Sequence, residues 1–357
     1  FVKAQASLIS LMIEDDGDVW VGGRGILWYY DHCTRNWVDY DEAIRQELRN
    51  TCTYRQILKD HSGTIWLATD FGALKITQSD RLFDHYLSGG SEYCSNVYCS
   101  TRGMTEDEQG NLYISYYNSI HVLDQSNQTL RPLFPRQDFF NYPFGLAYAE
   151  GALFTGNGIR IDLDKLEQRQ LFPADNKDLG VVIVDESGAV WFGFEQKLFR
   201  YLPKEDRLAE LRFGQDSLIK GTISYLFESV QDGIIWVATL DNGLYALNRN
   251  QGIQAHYHTG KDSPIPLPHQ QINAVWSGAE GELWLGTAAG LVHLDLIEAR
   301  RKTYTTSSGL PNNFINGILP EGDSCLWVST DNGLSRMNIH NEQTLNFTTA
   351  DGLTANE

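Results

Sequence analysis

Apolar residues in this chain come in short runs with a period of two, and each run ends at a polar turn carrying Gly. One set of runs reads "SLISLMIED", "YRQILKD", "TISYLFES", "INAVWSG" and "FINGILPE". Turns such as "DDGD", "HSGT", "ESGA" and "AEGE" carry the chemistry that reverses a hairpin. The next set reads "VWVGG", "IWLAT", "VWFGF", "IWVAT", "LWLGT" and "LWVST". Another Gly turn leads to a third run ("ALKIT", "LYALN", "LVHLD", "LSRMN"), and a looser polar run closes the unit. The pattern predicts four antiparallel strands per unit, with no helical periodicity between them.

The aromatic of the second strand serves as an anchor: Trp20, Trp66, Tyr113, Trp191, Trp236, Trp284 and Trp327. A worn copy between Tyr113 and Trp191 has Phe154 near the anchor position, which makes eight copies of roughly 44 residues. Within "IWVAT", Trp236 and Ala238 lie on one face, and Ile235, Val237 and Thr239 on the other. Both faces are apolar, so both need cover. Sheets packed radially supply it and leave only short, protected edges. The small residue two places after each Trp leaves room for the neighbouring blade, and the Trp itself is read as blade-to-blade packing. The fold class expected is all-β, a β-propeller of four-stranded antiparallel blades. Eight repeats, in a seven- or eight-bladed ring, fill residues 1–357 as a single domain.

A net charge of −18 with no Lys/Arg-rich run argues against nucleic acid and against contact with an anionic membrane surface. No run approaches the roughly 20 apolar residues that span a bilayer. The chain opens "FVKAQASLIS", without an initiator Met or a basic leader, and is read as a piece of a longer protein. Five cysteines at irregular spacing do not form a disulfide framework, although Cys94 and Cys99 in "CSNVYC" could bridge. The acidic turn residues Asp16, Asp60, Asp107 and Asp185 lack the oxygen series of a calcium loop. Each is expected to accept backbone N–H bonds within its own turn. No metal and no cofactor are expected.

The repeat resembles a known one. "DHSGTIWLATDFGAL", "QDGIIWVATLDNGL", "AEGELWLGTAAGL" and "GDSCLWVSTDNGL" resemble the two-component-regulator propeller repeat. "SSGLPNNFINGI" and "ADGLTANE" resemble the phrase that joins its blades. The resemblance covers the whole chain and implies the periplasmic sensor region of bacterial membrane histidine kinases, notably hybrid two-component systems that respond to polysaccharide breakdown products. It does not specify a ligand. Sensors of this family continue into a β-sandwich, a membrane helix and an output domain, none of which is present in these residues.

No metalloprotease, nucleophile-elbow or phosphate-loop motif occurs, and no enzyme activity is expected of this chain. In a propeller the loops before the first strand and between the second and third strands share one face, and binding usually lives on such loops. The candidate ligand residues there are Arg24, Arg55, Arg102, Tyr116, Tyr117, Asn118, Tyr142, Gln196, Gln271 and Asn313. "SYYNS" at 115–119 replaces the usual T-x-x-G turn with two aromatics able to stack on a sugar. Arg55 and Arg102 share one slot in neighbouring copies, where they could grip a uronate or sulfate, or pair with an adjacent blade. Three readings follow: a sensor for an oligosaccharide or other small ligand, a scaffold docking a second propeller or subunit, and a propeller lyase or hydrolase. The third requires a His or carboxylate pair in hydrogen-bond reach at the rim.

Overall fold

The computed structural model describes residues 8–14, 18–31, 36–48, 51–59, 65–76, 101–116, 119–124, 129–134, 145–173, 180–212, 219–229, 231–322, 324–351 and 353. They form two compact units, Phe1–Leu82 and Phe83–Glu357. Unit 1 holds blade 1, with β1 Leu8–Ile13, β2 Val19–Gly23, β3 Ile26–Asp31 and β4 Asn36–Asp39. It also holds helix α1, Asp41–Leu48, and blade 2, with β5 Tyr54–Lys59, β6 Ile65–Thr69 and β7 Gly72–Ile76. Unit 2 begins with blade 3, with β8 Thr101–Glu106, β9 Leu112–Tyr116, β10 Ser119–Asp124 and β11 Thr129–Pro132. Blade 4 has β12 Leu146–Ala149, β13 Ala152–Thr155, β14 Ile159–Asp162 and β15 Gln168–Gln170. Blade 5 has β16 Gly180–Val184, β17 Val190–Phe194, β18 Lys197–Leu202 and β19 Arg207–Leu211. Blade 6 has β20 Ile223–Ser229, β21 Ile234–Thr239, β22 Leu244–Asn248 and β23 Gly252–Tyr257. Blade 7 has β24 Ile272–Ser277, β25 Glu282–Thr287, β26 Gly290–Asp295 and β27 Arg300–Tyr304. Blade 8 has β28 Ile315–Glu321, β29 Cys325–Thr330, β30 Gly333–Asn338 and β31 Thr344–Phe347.

All pairings among the described residues are antiparallel between successive strands, giving seven four-stranded antiparallel blades of a β-propeller and, in blade 2, three described strands. Within unit 2 the first strands of successive blades lie against one another, which makes them the inner strands. The second strands carry the core. Trp191 and Trp284 are fully buried there, as is Trp20 in unit 1. Where the small residue follows the Trp, the next blade presses in. A Cβ built on Gly193 would lie 2.5 Å from Ile223 Cγ2, and one on Gly286 would lie 2.9 Å from Ile315 Cγ2.

Blade 4 departs from the expected anchor in an instructive way. Counting back from Thr155, which holds the place of Thr239 and Thr287, the anchor slot falls on Ala152. Phe154 fills the slot that is small elsewhere. The compensation lies in blade 5, whose first strand begins with Gly180 where blades 6 to 8 begin with Ile. The Gly180 Cα can then approach the Gly156 carbonyl so closely that a Cβ would sit 2.1 Å from its oxygen. Phe154 packs edge-on to Phe192 at 6.3 Å and against Tyr201 at 5.7 Å. The small first residue of blade 5 thus lets the blade 4 turn backbone come close, while the Phe154 ring packs on the second and third strands of blade 5.

The acidic turns at the other end of the blades are filled by their own turn, as expected for Asp107 and Asp185. Asp107 accepts from the N–H groups of Gln109 and Asn111 at 2.9 Å and from Tyr113 Oη at 3.1 Å. Asp185 accepts from the N–H groups of Ser187 and Ala189, and from Trp191 Nε1 at 2.7 Å. The same six-residue step joins Trp20 Nε1 to Glu14 Oε1 at 2.6 Å. So in blades 1, 3 and 5 the turn acid also takes up the polar handle of the anchor aromatic, whereas the indole nitrogens of Trp236 and Trp284 in blades 6 and 7 are buried without such a partner. Asp16 and Asp60 lie outside the described residues, as do Cys94 and Cys99. Cys52 and Cys325 are buried free thiols.

One element was not expected. Helix α1 opens with Asp41 and Glu42 and carries Arg45 in its last turn, a charge order that suits the helix dipole. The Asp41 carboxylate accepts from the buried Tyr54 Oη at 3.0 Å, fixing the helix to the first strand of blade 2.

Candidate functional site

The candidate face is the end of the blades where first strands begin and second strands turn into third. In six blades the first strand carries a β-bulge at its second residue. The slot holds Ile9, Arg55, Arg102, Ser224, Asn273 and Asn316. A bulge re-aims a side chain out of the pleat, and here it does so at the same position of six blades. Arg55 and Arg102 therefore do occupy equivalent positions, as the repeat predicts. Arg55 is exposed in unit 1, and Arg102 is half-buried in unit 2.

In blades 6 to 8 the slot is polar, tied to the next blade in blades 6 and 7 and to its own turn in blade 8. Ser224 Oγ donates to the Ile272 carbonyl at 2.5 Å. Asn273 Nδ2 donates to the Ile315 carbonyl at 2.8 Å, and Asn316 Nδ2 donates to Asp331 Oδ1 at 2.8 Å. Gln271 Nε2 donates in turn to Asn273 Oδ1 at 3.1 Å. Each primary amide has two N–H donors and an oxygen with two lone pairs. These bonds fix the orientation of Gln271, Asn273 and Asn316 while using only part of that capacity. The result is a pre-set row of amides at the inner edge of blades 7 and 8, half-buried at Gln271 and Asn273 and exposed at Asn316.

Two straps frame this row. The connector 258–271 enters blade 7, and the connector 305–314 enters blade 8. The straps differ in length, but their hydrogen bonds match at both ends. Leu267 N donates to the His258 carbonyl at 2.8 Å, and Leu310 N to the Thr305 carbonyl at 3.2 Å. Gln270 Nε2 donates to Thr259 Oγ1 at 3.0 Å, while Asn313 Oδ1 accepts from Thr306 N at 2.8 Å. Leu267 and Leu310 are both buried and pin the straps to the blades. Asp turns clamp the rim from the other side. Asp241 Oδ1 accepts from Thr222 N, and in unit 1 Asp70 Oδ1 accepts from Thr53 N, both at 2.9 Å. The Thr53 N–H bond, with a smaller contribution from the Arg55 charge, holds the Asp70 carboxyl below its ordinary value.

The sequence-derived candidates fall into place unevenly. Gln271 belongs to the amide row. Asn313 lies beside it, exposed, with its oxygen engaged by the strap. Gln196 is exposed in the β17–β18 turn, after Glu195 at φ 52°. Arg24 and Arg55 are exposed in unit 1, and Arg24 pairs by backbone with Thr53. Tyr116 ends β9, whereas Tyr117, Asn118 and Tyr142 lie outside the described residues. The sequence reading missed Asn273 and Asn316. Both stand in the slot already recognised for Arg55 and Arg102, so carrying that alignment through blades 7 and 8 would have found them.

Among the described residues two His–carboxylate pairs occur, His258–Asp262 and His293–Glu282, both at 3.9 Å. That is longer than a hydrogen bond that passes a proton. His293 is stacked on Trp284 at 4.3 Å. The chemistry of the rim is hydrogen bonding by amides, hydroxyls and backbone carbonyls.

No family model matches the chain, and no curated protein matches it. Solved structures do. The chain is similar to a domain described as the extracellular part of a hybrid two-component system of B. thetaiotaomicron, with a TM-score of 0.52 and 17% identity. The match covers 99% of this chain and 47% of that one. It is similar also to PorZ, an essential surface component of the type-IX secretion system of Porphyromonas gingivalis, with a TM-score of 0.54 and 12% identity. There 99% of this chain and 54% of that one are covered. The chain thus spans about half the length of each. A chain of a mitotic checkpoint complex, at a TM-score of 0.52 and 12% identity, superposes over 69% of this chain and 77% of its own. At such identities the likeness is one of fold.

Proposed function

We propose that this chain is a ligand-sensing propeller region of a bacterial two-component signal-transduction protein, lying outside the cytoplasmic membrane and recognising an oligosaccharide released from a polysaccharide. The observation that carries the reading is the amide row Gln271–Asn273–Asn316. Its groups are oriented by bonds to blade backbones and to Asp331, and their remaining donors and acceptors stand at the rim. Vicinal sugar hydroxyls present the complementary pattern of donors and acceptors, and fixed amides bind them without a further ordering cost. The similarity to the extracellular part of a hybrid two-component system, over nearly the whole chain, supports the sensor role. Binding would shift a balance between two arrangements of the intact protein, because only differential affinity can transmit a signal.

A second reading has its own support. The likeness to PorZ, a surface component of a secretion system, fits a propeller that docks another protein on the same face. A thermal-shift screen against neutral and uronic oligosaccharides separates the two. A ligand that binds only the folded state raises Tm by mass action. The sensor reading expects a hit that Gln271→Ala abolishes. A hit untouched by Gln271→Ala moves the ligand site away from the amide row, and a complete panel without one turns the balance to protein docking.

A further inference from the structure

The two matched straps differ at the two atoms that close their turns. In 305–314, Thr305 Oγ1 accepts from Ser307 N at 3.3 Å and Asn312 Oδ1 accepts from Phe314 N at 2.8 Å. In 258–271 the equivalent acceptors are both imidazole nitrogens. His258 Nδ1 accepts from Gly260 N at 3.1 Å, and His269 Nδ1 accepts from Gln271 N at 3.0 Å. A hydroxyl and an amide oxygen accept at any ordinary pH. A ring nitrogen accepts only while it is unprotonated, and histidine is the side chain that gains its proton between about pH 5 and 8.

We propose that the 258–271 strap is an acid-released latch on the rim, opened when protons on Nδ1 of His258 and His269 abolish both turn-closing bonds. Each added proton turns an acceptor into a donor facing a backbone N–H donor. The bond is lost and two like dipoles are opposed. The strap carries Gln270 and Gln271, so its release disorders one end of the amide row. The Gln270 carbonyl also accepts from Gly243 N at 2.9 Å, which extends the effect to the blade 6 turn.

The surroundings of His258 favour release once a proton arrives. His256, on β23, packs tilted against it with ring centroids 4.7 Å apart, and Tyr245, on β22, stacks on His256 at 4.0 Å. His256 Nε2 lies 2.7 Å from the Asn242 carbonyl and donates to it. Burial, with smaller contributions from His258 and Lys220, lowers the His256 pKa despite that bond and the Asp262 charge. Asp262, on the strap itself, is exposed and 3.9 Å from His258 Nε2, and attracts the charged form. Lys261 on the strap is exposed, and Arg301 from β27 donates to the Pro266 carbonyl within it. His269 stands exposed at the other end.

This regulation of ligand capture rests on the rim being the ligand face, but the latch itself does not, and its test needs no ligand. Amide exchange is followed by NMR on the whole chain from about pH 7.5 to about 5. After correction for intrinsic rates, protection at Gly260 and Gln271 is expected to fall about tenfold, the loss of one or two hydrogen bonds. Ser307 and Phe314, the matched amides of the other strap, serve as the internal control and are expected to hold theirs. The double variant His258→Thr/His269→Asn copies the chemistry of the second strap and is expected to flatten the response. His269→Asn alone, at an exposed site, is expected to do so at Gln271 only. Constant protection at Gly260 and Gln271, an equal fall in both straps, or a fall that survives the double variant would overturn the proposal.

Discussion

Removing the Asp185 carboxylate tests how the blades are held together. Its side chain is fully buried and accepts from two turn N–H groups, Ser187 Oγ and Trp191 Nε1. Arg249 Nε lies 3.6 Å away and the Arg200 guanidinium 3.9 Å, with Arg249 also paired to Glu228 of blade 6. Asp185→Ala therefore strands an indole N–H and two turn N–H groups, and leaves two partly buried guanidinium groups facing one carboxylate. Breaking a buried pair from one side costs about 3–5 kcal/mol. For a domain of this size that corresponds to a fall in Tm of about 4–9 °C. Asp185→Asn keeps an acceptor oxygen but no charge and is expected to fall between. The pH dependence has a definite sign. Burial raises the Asp185 pKa, but the bonds from Ser187, Trp191 and Ala189 and the Arg249 charge outweigh it, so the folded value is lowered. The contribution is present above the unfolded value near 3.9 and is lost as pH falls through the folded one. Urea unfolding followed by Trp fluorescence, at about pH 7 and about pH 3, measures both effects. A cost of Asp185→Ala below about 0.5 kcal/mol, the range of ordinary surface changes, would refute the reasoning.

Phe154→Ala empties the slot that blade 4 fills with an aromatic, and is expected to cost about 3–5 kcal/mol in denaturant unfolding. Gly180→Val is expected to destabilise as well, by more than about 1 kcal/mol, because its Cβ meets the Gly156 carbonyl rather than a movable side chain. Adding Gly180→Val to Phe154→Ala should not rescue it, and a rescued double variant would show that blade 5 can slide. Glu195→Gly, at an exposed positive-φ turn position, is expected to stabilise by about 0.5–1 kcal/mol in the same assay. A loss of stability there would mean the carboxylate is engaged at the rim.

The strands were legible because each is set by local alternation and a nearby turn, and the pattern recurs. The blade 4 anchor was not, because Phe154 and its compensating Gly180 are far apart in sequence and neither looks unusual alone. Helix α1 was hidden in a connector, where "DEAIRQEL" shows charge order more than apolar periodicity. The rim was half legible. Repetition exposed the slot of Arg55 and Arg102 and places Ser224, Asn273 and Asn316 in it, but a bulge has no signature in a single sequence, so that the slot re-aims its side chain was not legible. The straps needed the structure. "LPHQQI" and "LPNNFI" match in sequence, yet only the hydrogen bonds reveal that His269 does the work of Asn312.

The central claim is that the amide row is where a ligand is read, and NMR titration of the isotopically labelled chain with the best oligosaccharide from the thermal screen tests it most directly. The account predicts saturable shifts concentrated at residues 269–273 and 312–316, including the side-chain amides of Gln271 and Asn273. Shifts centred on the opposite turns, at 107–111 or 185–189, would contradict it.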